Sequence, residues 1–170
     1  MENNNIEDQN EVILSRILKL LGVDGVNMKD FDNRLKYQKL IYLTQNLGIG
    51  LGYGYSWYVR GPYSPALTRT LFNIRDNESF RKWNSIKFNQ EDEVVKRLNH
   101  LKTILGSNFE NPYYLEVLAS LHYLHKTLPP SENSCTQLKE RLLCVKPDLK
   151  NVTNIHAMMD LACKDLNKFN

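Results

Sequence analysis

SWYVRGPYSPALTRTLF, residues 56–72, changes its period partway along, and that change decides the fold. Up to the glycine, Tyr53, Tyr55, Trp57 and Val59 alternate with Gly54, Ser56, Tyr58 and Arg60, the two-residue period of a half-buried strand rich in aromatic rings. Past Ser64, Leu67, Leu71 and Ile74 recur at helical spacing. Ser64-Pro65 supplies a hydroxyl N-cap followed by proline at the first helical position, where its missing N–H costs no hydrogen bond. Gly61 and Pro62 set a rigid turn between the two, so Trp57 to Leu67 reads as strand, turn and capped helix. A lone strand leaves its backbone groups unpaired. The best partner in the sequence is Ser85 to Phe88, bounded by Asn84 and Asn89, which predicts a two-stranded antiparallel ribbon formed across the intervening helix. Trp57 is then expected to be buried between that helix and the one preceding the strand.

Helical spacing dominates on both sides. Val12, Ile13, Ile17, Leu20 and Leu21, closed by Gly22, predict a helix over 6–21. Tyr37, Leu40, Ile41, Thr44 and Leu47 share a face ahead of Gly48 and predict a second helix over 33–47, with Lys36, Lys39 and Gln45 on its outer side. A short helix is expected at 79–83. Val94, Leu98, Leu101 and Leu105 form the next stripe, and Tyr114, Val117, Leu118, Leu121 and Leu128 another after Asn111-Pro112. Pro129 and Pro130 break the chain, Ser134 with Gln137 forms a capping box ahead of Leu138 and Leu142, and Pro147 closes that helix. Ile155, Met158, Met159, Ala162, Leu166 and Phe169 make the last stripe. The expected fold class is mainly α: a helical domain with a small two-stranded antiparallel β ribbon over 1–128, and a C-terminal helical extension over 129–170 packed on it.

A composition of 42% hydrophobic and 24% charged residues belongs to a soluble globular chain. No apolar run approaches a bilayer span, so no membrane association is expected. Residues 1–10 have no apolar core of a leader, and a cytoplasmic location follows as an expectation. Cys135, Cys144 and Cys163, odd in number and without CxxC spacing, are then expected as reduced thiols. His122, His125 and His156 with those cysteines match no compact zinc module, and the alternating Gly48, Gly50, Gly52 and Gly54 match no nucleotide-binding loop. No catalytic motif stands out, so neither enzymatic activity nor a cofactor is expected. The net charge of +3 is unevenly distributed: residues 29–87 carry +6 and their flanks −3. Tyr53, Tyr55, Trp57, Tyr58, Arg60 and Tyr63 suit base stacking, with Arg34, Lys36, Lys39 and Arg69 on phosphates, which makes nucleic acid a possible partner.

RLKYQKLIYLTQNLGIGLG, residues 34–52, followed by residues 56–72, resembles the paired signatures of the SocA-like Panacea antitoxin domain and the YwgA-like family. Those families carry a helix of the form L-K-x-Q-K-L-x-Y-x-x-Q, an aromatic strand and a G-P-x-x-P-x-L turn into a helix. The matching residues are Leu35, Lys36, Gln38, Lys39, Leu40, Tyr42 and Gln45, then Trp57, Gly61, Pro62, Pro65 and Leu67. Arg60 stands where the Panacea pattern usually has an aromatic, which brings the wording closer to the YwgA-like branch. The resemblance implies a prokaryotic or viral, non-enzymatic, antitoxin-like protein of a toxin–antitoxin kind that neutralises or adapts a partner protein. The alternative is a DNA-binding transcriptional regulator using the basic region 29–87. The stiff turn motif Trp57, Gly61, Pro62, Ser64 and Pro65 is expected to present an exposed partner-binding surface of Gln38, Lys39, Arg60, Tyr63 and Arg69.

Overall fold

Prolines and short polar side chains mark where the helices begin. Ser64 Oγ accepts from Leu67 N at 3.3 Å ahead of Pro65, and Asn111 Oδ1 accepts from Tyr113 N and Tyr114 N ahead of Pro112. Ser134 and Gln137 form a reciprocal capping box. The computed structural model describes residues 2–169. Within them lie α1 (Glu2–Leu21), α2 (Phe31–Asn46), β1 (Ser56–Tyr58), β2 (Gly61–Tyr63), α3 (Pro65–Asn73), α4 (Asn77–Asn84), α5 (Glu91–Leu105), α6 (Pro112–Thr127), α7 (Cys135–Val145) and α8 (Ile155–Leu166). The fold is thus mainly helical with one small antiparallel sheet.

At the centre, α2 packs against α6. Both are buried around nearly their whole circumference, α2 from Tyr37 to Thr44 and α6 from Tyr114 to His122. The amphipathic α2 expected from the sequence is therefore a central helix, and Lys39 lies inside. Among the N-terminal helices, α1 packs on α3, α4 and α5 through a stripe of Leu14, Ile17, Leu18 and Leu21. At the C-terminal end α7 and α8 pack on α6, and Leu138, Leu142, Ile155, Met159, Ala162 and Leu166 join the same apolar core as the N-terminal helices. The α3 stripe of Leu67, Leu71 and Ile74 is fully buried, each residue contributing about 1.5–3 kcal/mol of burial free energy.

The ribbon is local. Ser56 pairs with Tyr63, Trp57 with Pro62 and Tyr58 with Gly61, while Ser85 to Phe88 is a turn and an irregular stretch. The expected pairing across α3 is thus replaced by a hairpin reversing at Val59-Arg60, which closes a far shorter loop and costs less chain entropy. Val59 leaves the alternation to form the turn, and the left-handed residue needed to re-enter the ladder is Gly61, at φ 79°. Burial alternates from Ile49 to Trp57 as the two-residue period requires, with Gly50, Gly52 and Gly54 on the outer side. Trp57 differs from expectation: it is half-buried against α6, its ring 5.8 Å from that of Tyr123, rather than enclosed between α2 and α3.

The cysteines also differ. Cys135, which opens α7, and Cys163 on α8 have Cα atoms 5.9 Å apart and are disulfide-bonded; Cys144 is free and exposed.

Gly61 is doubly constrained, because a Cβ there would collide with Ser120 Oγ of α6 on a backbone that L-residues avoid. Gly61→Ala is expected to destabilise the fold by about 2–4 kcal/mol, read as a lower urea midpoint with an unchanged slope.

Candidate functional site

Two side-chain amides of α2 position the hairpin. Gln38 Oε1 accepts from Ser64 N at 3.0 Å, and its Nε2 donates to Ser64 O at 3.0 Å and to Thr68 Oγ1 at 2.9 Å. Two turns along, Gln45 repeats the arrangement on the incoming arm: Tyr53 N donates to Oε1 at 3.1 Å and Nε2 donates to Tyr53 O at 2.8 Å. An amide side chain carries the same donor and acceptor as a peptide group, so each glutamine pairs with the extended chain as a neighbouring strand would. Between them Lys39 Nζ donates to Pro62 O at 2.6 Å.

Beneath the hairpin is a charged centre. Glu116 on α6, almost fully buried, accepts from Lys146 and lies 3.1 Å from Arg60 Nε as an ion pair without hydrogen-bond alignment. Burial pushes the Lys39 ammonium down to about 7 against the attraction of Glu116, with Lys146 and Arg60 adding repulsion. Lys146 is lowered as well, burial outweighing its bond to Glu116. Two lysines and an arginine thus lie around one carboxylate, and Ser120 Oγ lies buried beside Gly61 without a hydrogen-bond partner among the described residues.

An aromatic layer supports the incoming arm. The Tyr42 hydroxyl and His122 Nδ1 are 2.9 Å apart, and the Tyr42 ring meets Tyr55 edge-on at 5.0 Å. Burial, together with Lys126 and His125, lowers His122 to about 4, so its imidazole is neutral near pH 7.

The outer face of the hairpin is different in character. Phe31, Tyr58, Val59 and Tyr113 are exposed, with Val59 the most so at 71%. The Arg60 guanidinium lies 5.3 Å from the Phe31 ring centre and 5.9 Å from that of Tyr113, and Tyr58 and Tyr63 stack obliquely at 5.5 Å. Within this rim opens a cavity of about 150 Å³ floored by Met28, Leu35 and Leu71.

The expected partner-binding set is therefore divided. Gln38 and Lys39 are 5% and 1% exposed and hold backbone, which corrects their assignment to an exposed surface. Arg60 and Tyr63 stand at the rim, and Arg69 is exposed on α3. Of the turn motif, Gly61, Pro62 and Ser64 are buried, Trp57 is half-buried and Pro65 is exposed. Among the cations expected on phosphates, Arg34 donates to Met28 O and Lys29 O, Lys36 pairs with Glu110 at 2.6 Å, and Lys39 is enclosed. Phe31, Tyr113, Glu116 and Lys146 were not singled out from the sequence. Glu116 had a legible signal as the one acidic residue in the apolar run 113–124, whereas nothing in the sequence marks Phe31 and Tyr113 as exposed. Among the described residues, no group of three or more His, Cys, Asp or Glu side chains is placed to hold a metal ion, and no helix is long and apolar enough to cross a membrane.

Gln38→Ala strands the Ser64 N–H in a buried setting, while Ser64 O keeps its bond from Thr68 N, and the substitution is expected to cost about 1–3 kcal/mol in urea denaturation. For His122, the unfolded chain takes up a proton near the ordinary 6.5 while the folded chain refuses it until about 4. Stability is expected to fall by up to about 3 kcal/mol as pH drops through that window, a component that His122→Gln removes from the pH profile. Comparison of the chain with protein-family models, curated proteins and solved structures finds no match to any of them.

Proposed function

We propose that the chain is a non-enzymatic protein-binding module, antitoxin-like, which neutralises or adapts a partner protein seated on the aromatic rim of the hairpin. The observation that carries it is the clustering of exposed apolar side chains. Four of the eight large hydrophobic residues exposed among those described, Phe31, Tyr58, Val59 and Tyr113, gather around Arg60. Contiguous exposed apolar surface is unfavourable in an isolated protein and marks an interaction site. Tyrosine and arginine are also the side chains that dominate binding energy at protein interfaces. The residues that carry the family resemblance, Gln38, Lys39, Gly61 and Pro62, are those that hold this rim in shape, which fits a shared scaffold with a variable outer face. A toxin encoded by an adjacent reading frame is the partner this module would take, in a prokaryotic or viral setting. DNA is the less favoured partner, since two of the four cations expected on phosphates are committed, Lys36 to Glu110 and the enclosed Lys39 to Pro62 O.

Expression of the neighbouring reading frame alone is expected to arrest growth and co-expression of this chain to restore it. Tyr58→Ser combined with Tyr113→Ser, both exposed, is expected to abolish the rescue while moving the melting temperature by no more than about 2 °C. Full rescue by that folded double variant would place the binding surface elsewhere.

A further inference from the structure

The cavity inside the rim has walls of one character and charges of one sign. Met28, Leu35 and Leu71 form an apolar floor, and about 150 Å³ is the size at which a buried apolar hollow admits a benzene-sized group. Phe31, Tyr58 and Tyr63 surround the mouth. The charged residues that line it are Arg34, Lys39 and Arg60, and no Asp or Glu joins them. Glu116 is shared between Arg60 and Lys146, and Asp30 and Asp32, the chain neighbours of Phe31, do not line the cavity, Asp30 accepting from Asn27 and Asn33. Arg34 uses Nη1 on the carbonyls of Met28 and Lys29, and no other nitrogen of it has a hydrogen-bond partner among the described residues. A cleft with apolar walls and charged groups of one sign attracts anionic groups more strongly than a flat surface would.

Resting on the protein-binding reading above, we propose that this cavity seats an acidic linear segment of the partner, with one apolar or aromatic side chain in the hollow and flanking carboxylates on Arg60 and Arg34. The width of the hollow matches a single anchoring side chain, which a flexible segment supplies with little rearrangement of the rim. Charge complementarity selects acidic flanks, because basic flanks would meet Arg34, which has no carboxylate partner, and Arg60, which has only a share of Glu116. A nucleic acid strand offers a base to the hollow, but its backbone needs a continuous track of exposed cations, and here Lys36 is paired with Glu110 and Lys39 is enclosed.

The test is selection of random displayed peptides against the full folded chain, followed by anisotropy titration of a fluorescein-labelled consensus peptide and of a labelled single-stranded oligonucleotide. Phe31 is the variable position: it is half-exposed, opens α2, and accepts a carboxylate favourably at the positive end of the helix dipole. The expected consensus is an apolar or aromatic residue flanked by Asp or Glu. Affinity for it is expected to fall about tenfold or more in Phe31→Glu relative to Phe31→Lys, two variants that lose the same ring and carry opposite charges. Equal affinities in the two variants, a basic or uncharged consensus, the absence of any enriched peptide, or oligonucleotide binding that alone responds to the charge at residue 31 would each overturn the proposal. If growth rescue depends on Tyr58 and Tyr113 while the consensus is not acidic, the acidic segment is refuted and the binding module stands. If acidic peptides bind at the rim but no neighbour is neutralised, the antitoxin reading fails and the cavity assignment holds.

Discussion

A helix that is buried on every side has no solvent face to give away, and in this chain α2 uses its polar positions to hold backbone. Gln38 and Gln45 pair with peptide groups on either side of the hairpin, and Lys39 caps Pro62 between them. A two-stranded ribbon is marginal by itself. It is ordered here because each arm has a side-chain amide for a neighbour on one edge and α6 beneath it. The rim of exposed rings inherits its geometry from those contacts, so the groups suited to touching a partner are positioned by groups that never reach the surface.

The charged centre extends the same logic. A buried carboxylate among three cations is costly to assemble and more costly to break, so its worth lies in specifying one arrangement. Glu116 reaches Arg60 from the hairpin and Lys146 from the end of α7, and through them a C-terminal helix and the ribbon are tied to α6 at one point. Gly61 makes the approach possible, since only a residue without Cβ lets the chain pass Ser120 so closely.

Much of this architecture was legible in the sequence, for local reasons. The Ser64-Pro65 and Asn111-Pro112 starts and the Ser134/Gln137 box depend on neighbours within one turn, and the α3 stripe of Leu67, Leu71 and Ile74 follows directly from helical spacing. The pairing of the ribbon was not, because Ser85 to Phe88 has strand-like composition while the true partner, Gly61 to Tyr63, contains a proline that reads as a turn. Proline fits there on a short strand whose opposite edge is met by side chains. Gln38 and Lys39 were misplaced for a related reason. A polar residue on a helix normally points to water, and the backbone they hold comes from 23 and 26 residues away, beyond any local pattern. Of the candidate site, Arg60 and Tyr63 were legible and the rings of Phe31 and Tyr113 were not, since they meet only when α2, the hairpin and α6 are assembled.

The burial of α2 also bears on how the chain is made. Its principal cover is α6, and contacts such as Tyr42 with His122 and Asn46 with Lys126 span 80 residues. During synthesis α2 leaves the ribosome long before Pro112 does, and at ordinary elongation rates of about 5–20 residues per second the interval lasts several seconds. Through that interval the side chains of α2 that α6 will cover, and the face of the hairpin that will lie on α6, stand open to other nascent chains. The fold therefore closes only once α6 has been made, and a chain released before α6 emerges would carry its central helix uncovered into the crowded surroundings of the ribosome.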